Sequence, residues 1–147
     1  MPDRLAPVSL TPDTVAQALP LVRSLIPALE LEAWAAFAHA HIEGAPARGI
    51  VGVRDGHGYF HAIFAYHVRS EILHGQVLDV TWATTIDLLD PAGAVGVLIR
   101  EFEALAGRLG CTRVQVRLQP MQRRLRRRLE AEGFVLPSVV LEKPLNA

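Results

Sequence analysis

Seven consecutive residues, Asp90-Pro91-Ala92-Gly93-Ala94-Val95-Gly96, sit where a strand pattern gives way to a helix pattern. Such a junction aims unpaired backbone N–H groups, and the positive end of a helix dipole, at one point in space. Anions bind at points of this kind, phosphates above all. Gly93 and Gly96 leave room for a ligand to approach the backbone. Asp90-Pro91 reads equally well as an N-cap followed by a first-turn proline, and the Asp90 carboxylate then accepts the N–H groups a phosphate would use.

The strand before that junction, Gln76 to about Leu88, separates by parity. Leu78, Val80, Trp82, Thr84, Ile86 and Leu88 fall on one face, and Asp79, Thr81, Ala83, Thr85 and Asp87 on the other. A strand inside a sheet needs apolar residues on both faces, so the polar row marks either a cleft or an uncovered part of the sheet. Asp79 is the carboxylate best placed to take a proton from an incoming nucleophile, because Asp87 lies too near the turn. An ordinary hydrogen-bonded strand aspartate is the plainer alternative.

The remaining reactive side chains group less well. Of the six histidines, His39 and His41 are two apart on a helix and do not share a face. His61 and His67 share a strand face but lie too far apart to chelate one ion, and no cysteine or carboxylate completes a zinc set. No metal is expected. His41 and Trp34 lie on one helix and pack there or touch a ligand. Arg123, Arg124, Arg126, Arg127 and Arg128 surround a ridge of Met121, Leu125 and Leu129, as on a solvated amphipathic helix. A nucleic-acid module pairs such a patch with net positive charge and exposed aromatics, and neither is expected here.

These residues need elements to hold them. Val8 to Leu10 reads as a short strand, and Thr11-Pro12-Asp13 as a helix start that Pro20 kinks or breaks. A helix from about Glu30 to Ile42 puts Leu31, Trp34, Phe37, Ala38 and Ile42 on one face. Gly49 to Arg54, Tyr59 to about Leu73 and Gln76 to about Leu88 form a three-stranded meander, turned at Asp55-Gly56-His57-Gly58 and His74-Gly75. A helix from Ala92 to Leu109, a strand from Thr112 to Leu118, a helix from Met121 to Glu132 and a last strand from Ser138 to Lys143 complete the chain. The strand–helix–strand crossover makes its two strands parallel.

With 147 residues, half of them hydrophobic, the chain reads as one globular domain over residues 1–147. Its 15 basic and 15 acidic residues cancel, so no global field favours nucleic acid or membrane. Cys111 is the single cysteine, which points to a reducing, cytoplasmic setting and a buried, inert thiol. Neither a signal core nor a bilayer-length apolar run is present. Lys143 is the only lysine among the basic residues, a bias of GC-rich bacterial genomes.

The order strand, turn, helix, strand, basic helix from Val77 to Phe134, with Gly110-Cys111 and Gly133-Phe134, resembles the GNAT acetyltransferase superfamily. The likeness spans nearly the whole chain. It implies an α/β (α+β) fold, with a mixed, mostly antiparallel central sheet and helices on both faces. It also implies an N-acetyltransferase using acetyl-CoA as co-substrate, in which the amine of a small molecule or peptide attacks the thioester directly. The alternative is a degenerate member that binds a ligand or partner without catalysis.

By the resemblance, Asp90, Ala92, Gly93, Ala94, Val95 and Gly96 hold the pyrophosphate. Backbone at Ala83, Thr84 and Thr85 pairs with the pantetheine amides, and Gln122 orients the pantetheine arm where many members carry Pro-x-Asn. Asp79 is then the general base. The family pattern is altered at Asp90 and Val95, and Leu129 stands at the position of a thiolate-protonating tyrosine. The arginine helix is either solvated or touches the CoA 3′-phosphate, and the family leaves room for a homodimer.

Overall fold

The computed structural model describes residues 4–86 and 93–145. Its centre is a five-stranded sheet in the order β1 (Ala6–Ser9), β2 (Arg48–Arg54), β3 (Phe60–Glu71), β4 (Gly75–Thr85), β5 (Arg113–Val116). The first three pairings are antiparallel, and β4 pairs with β5 in parallel, as a crossover through a helix requires. Asp55 builds the β2–β3 turn, its Oδ1 accepting from the backbone N–H groups of His57 (2.8 Å) and Tyr59 (3.1 Å).

Helices cover both faces of this sheet. α1 (Leu19–Arg23) and α2 (Leu31–Glu43) lie on one side, where Trp34, Ala38, Val22 and Leu21 meet Ile50, Ile63, Ala65 and Phe60. α3 (Ala94–Arg108) and α4 (Arg123–Ala131) lie on the other, over Val53, Phe64, Tyr66, Leu78, Val80 and Ala83. Phe102 of α3 stacks edge-on against Phe64 at 4.8 Å.

Four local expectations are corrected. The first helix does not begin at Thr11: Thr11 and Thr14 hydrogen-bond each other in a turn, a 3-10 turn follows at Ala16–Ala18, and α1 starts at Leu19. Pro20 therefore falls in the first helical turn, where its missing N–H costs nothing, and it opens a helix instead of breaking one. Met121 is 71 % exposed and lies outside α4, so only Leu125 and Leu129 form the buried ridge. No regular element forms from Ser138 to Lys143, and Val139, Val140 and Leu141 are exposed there. Among the described residues no helix is long and apolar enough to cross a membrane.

A β-bulge corrects the parity of β4. Ala65 pairs with Trp82 but Tyr66 with Val80, so Thr81 is an extra residue with no partner on β3. Each side chain after it changes face. Ala83 joins Leu78 and Val80 in the core beneath α3, while Trp82 packs under α2. The polar row expected along a single face is thereby divided.

Candidate functional site

The bulge coincides with a change in pairing. From Val77 to Val80, β4 is hydrogen-bonded on both sides, its β5 partners being Arg113 to Val116. The Arg117 N–H still reaches the Val80 carbonyl at 2.9 Å, and the ladder ends there. From Thr81 to Thr85, β4 keeps only β3, so a gap opens on its other side. Gln122, at the entrance to α4, bridges this gap by donating from Nε2 to the Ala83 carbonyl at 2.6 Å. Its Oε1 accepts from the Gln119 N–H at 2.9 Å, which holds the amide in place.

The N-terminus of α3 follows the end of β4 in the chain. Gly93 is its N-cap, in the left-handed region at φ 77°, and supplies no side-chain cap. Among the described residues, a Cβ added at Gly93 would meet no atom within 4 Å, so nothing described fills this side of the turn. Ala94 and Val95 turn their side chains into the core, leaving backbone on the outer side. Asp90 and Ala92 lie outside the described residues. Arg100 sits one turn beyond Gly96 and folds back toward the helix start, with Nη1 3.4 Å from where a Gly96 Cβ would stand. It makes no ion pair among the described residues, and sequence pattern gave it no role.

Thr84 is buried and its Oγ1 lies 3.1 Å from the Ser24 Oγ, tying the end of α1 to β4. Thr85 is half-buried at the end of the strand. Backbone at Ala83–Thr85 and the Gln122 amide thus border the opening beside β4.

Asp79 stands apart from that opening. It is fully buried, on the doubly paired half of β4, and both its oxygens are taken. Arg117 donates from Nε to Oδ1 (3.2 Å) and from Nη2 to Oδ2 (3.1 Å), and Arg69 donates from Nε to Oδ2 (3.1 Å). His67 Nε2 is 3.7 Å from Oδ2. Arg69 also bonds Glu71 and Gln115, whose amide returns to Glu71 at 3.1 Å. The Asp79 carboxylate holds Arg117 more firmly protonated than a free arginine. Two guanidinium groups converge on this one buried carboxylate, and Glu71 shares Arg69 with it. The geometry is that of a lock across β3, β4 and β5, against the expected role as a base.

A cavity of about 450 Å³ opens beside the bulge, lined by Phe37, His41, Arg48, His67, Thr81 and Trp82. Phe37 stacks on His41 at 4.2 Å and tilts toward Trp82 at 6.1 Å. His41 Nδ1 is 3.2 Å from the Phe37 carbonyl, which can only accept, so Nδ1 carries the proton and Nε2 keeps its lone pair. Burial pushes the His41 pKa below the ordinary histidine value; the Phe37 bond opposes this, and the charges of Arg48 and His67 reinforce it. Trp34 is not in this lining: it is buried and donates to the Val15 carbonyl at 2.7 Å. Among the described residues no group of three or more histidine, cysteine, aspartate or glutamate side chains could hold a metal ion.

This fold has counterparts among solved structures. The fold is that of the GNAT acetyltransferases. The aminoglycoside N-acetyltransferase AAC(6')-Iy, solved with CoA, superposes with a TM-score of 0.81 at 14 % identity, over 98 % of this chain and 96 % of that one. An aminoglycoside 6'-N-acetyltransferase from Acinetobacter baumannii matches at 0.78 and 17 % identity, over 98 % and 99 %. Glucosamine-6-phosphate N-acetyltransferase from Arabidopsis thaliana matches at 0.76 and 11 % identity, over 97 % and 99 %. No family model matches the chain, and no curated protein matches it significantly. The resemblance to solved GNAT enzymes is thus one of fold.

Proposed function

We propose that the protein transfers an acetyl group from acetyl-CoA to the amine of a small molecule or peptide. The observation that carries this reading is the opening of β4 after Val80 together with the glycine-led start of α3. The chain's residues fit the donor. Gly93 leaves its outer side open for a pyrophosphate, and Arg100 supplies a cation at the same helix start, as the family's altered signature does not. Backbone of Ala83 to Thr85 offers an unpaired strand edge to an extended arm. The Ala83 carbonyl has a second lone pair beside its bond to Gln122.

Acetyl-CoA supplies a thioester whose carbonyl carbon accepts the amine and whose thiolate departs. The amine must first lose its ammonium proton, and His41 is the group we assign to receive it at Nε2. It lines the cavity beside the bulge and is held in the right tautomer by Phe37. Asp79, by contrast, ties β3, β4 and the chain just after β5 together through Arg69 and Arg117. Leu129 is buried in the core, so no side chain at that position protonates the thiolate. A thiol pKa of roughly 8.5 makes it a fair leaving group unaided.

Titration of acetyl-CoA into the protein, followed by a free-thiol assay over a panel of amines, tests this reading. Binding with acceptor-dependent thiol release supports it. Binding without release for any amine would favour the non-catalytic alternative, for which the buried Leu129 speaks.

A further inference from the structure

Among the described residues, no acid lines the cavity beside the bulge. Its lining comprises two aromatic rings, two histidines, a threonine and Arg48. An amine binds as a cation before it reacts, and a site built for polycations would oppose it with carboxylates. Here the acids nearest on the same sheet face, Asp79 and Glu71, are already engaged by Arg69 and Arg117. Arg48 makes no ion pair among the described residues. Its stem and Nε pass over Gly44 at the end of α2, where an added Cβ would clash with Arg48 Nε, Cγ and Cδ. Glycine at that position leaves the space in which the Arg48 side chain rests beside the cavity.

We infer that this cavity selects a small amine that also carries a carboxylate, the carboxylate seated on Arg48 and an apolar or flat body against Phe37 and Trp82. The inference rests on the acetyltransferase reading and names its acceptor class. Arg48 contributes one fork of parallel donors, which matches the geometry and single charge of a carboxylate. The aromatic wall of Phe37 and Trp82 suits an apolar body, which a sugar-like polycation lacks. The cavity volume lies at the lower end of small-molecule sites, about 300–1,000 Å³, which fits an acceptor of amino-acid size.

The test compares L-phenylalanine with L-phenylalaninamide, glucosamine 6-phosphate and neamine as acceptors in the free-thiol assay. The acid should exceed its amide in kcat/KM by roughly ten- to a hundredfold, a charge-assisted bond's worth of discrimination. The difference should lie in KM, although the amide's amine is the more easily deprotonated. R48A should remove the advantage of the acid, and R48K should restore part of it. Preference for neamine or the amide would overturn the inference while keeping the transferase, and preference for the phosphate would replace carboxylate with phosphate. A second arm does not need turnover: binding of N-acetyl-L-phenylalanine and its amide by ligand-observed NMR. Acid-selective binding that R48A abolishes supports the inference, and equal binding overturns it whether or not transfer occurs. Acetyl-CoA titration in the same series reports separately on the donor reading.

Discussion

The two halves of β4 differ by one residue's worth of register and by everything that follows from it. Before Thr81 the strand is bonded on both sides and its one charge is locked by two arginines. After Thr81 it has one neighbour, and its far edge faces a gap spanned by a single glutamine. Rigidity and access are therefore placed end to end on one strand. The closed half fixes where the open half starts. A residue has a different setting on each side of the bulge: Asp79 ties three strands together, and Ala83 to Thr85 lie on the edge that we propose faces the acetyl donor.

Breaking the closed half should have the largest effect. Asp79→Ala leaves two guanidinium groups without their buried partner, and urea unfolding should show a loss of about 3 kcal/mol, the low end for a broken buried pair because both arginines are partly exposed. Asp79→Asn should also destabilise. Unchanged stability with a loss of turnover and of the acid limb of the rate would return Asp79 to the role of base.

Striking the open half should affect ligand more than fold. Gly93→Val must adopt the left-handed region, at about 1–2 kcal/mol, and fills the open side of the turn. Acetyl-CoA affinity should fall at least tenfold, read by calorimetry, and Gly93→Ala should show much of the strain with less of the loss. Arg100→Ala is exposed and should leave stability within about 0.5 kcal/mol, while weakening acetyl-CoA roughly tenfold with a reduced salt dependence. An Arg100→Ala variant that binds as tightly as the parent would remove the cation from the account.

The gentlest probe is pH. The His41 pKa is depressed by burial, so its contribution to stability is present above the ordinary histidine value, near 6.5, and declines as pH falls from there toward its own lowered pKa. The same neutral form is the base in the proposed reaction, and turnover should drop on the acid side of that window. His41→Gln should lower turnover roughly 10²-fold or more and flatten the acid limb. A retained limb would assign it elsewhere.

Much of this was legible from the chain, and the failures share a cause. Element order and the parallel crossover followed from local periodicity and glycine turns, and α2, β2 and α3 fall within two residues of their expected ends. The bulge did not, because alternation across Thr81 gives no sign of an inserted residue; only the β3 register exposes it. The partners of Asp79 were hidden for the same reason: Arg69 and Arg117 are 10 and 38 residues away, and only sheet pairing brings them to its oxygens. Gln122 was singled out only through the family resemblance, and its bond to Ala83 was not foreseeable without the gap. The apolar run from Val139 to Leu141 reads as a strand, yet nothing within the described chain pairs with it.

The central claim is that the opened half of β4 and the start of α3 together hold acetyl-CoA. Isothermal titration of acetyl-CoA into the parent protein and into Gly93→Val, at matched salt, tests it most directly. The account predicts saturable one-to-one binding by the parent and at least tenfold weaker binding by the variant, with the variant still folded by circular dichroism. No binding by the parent, or equal binding by both, would contradict it.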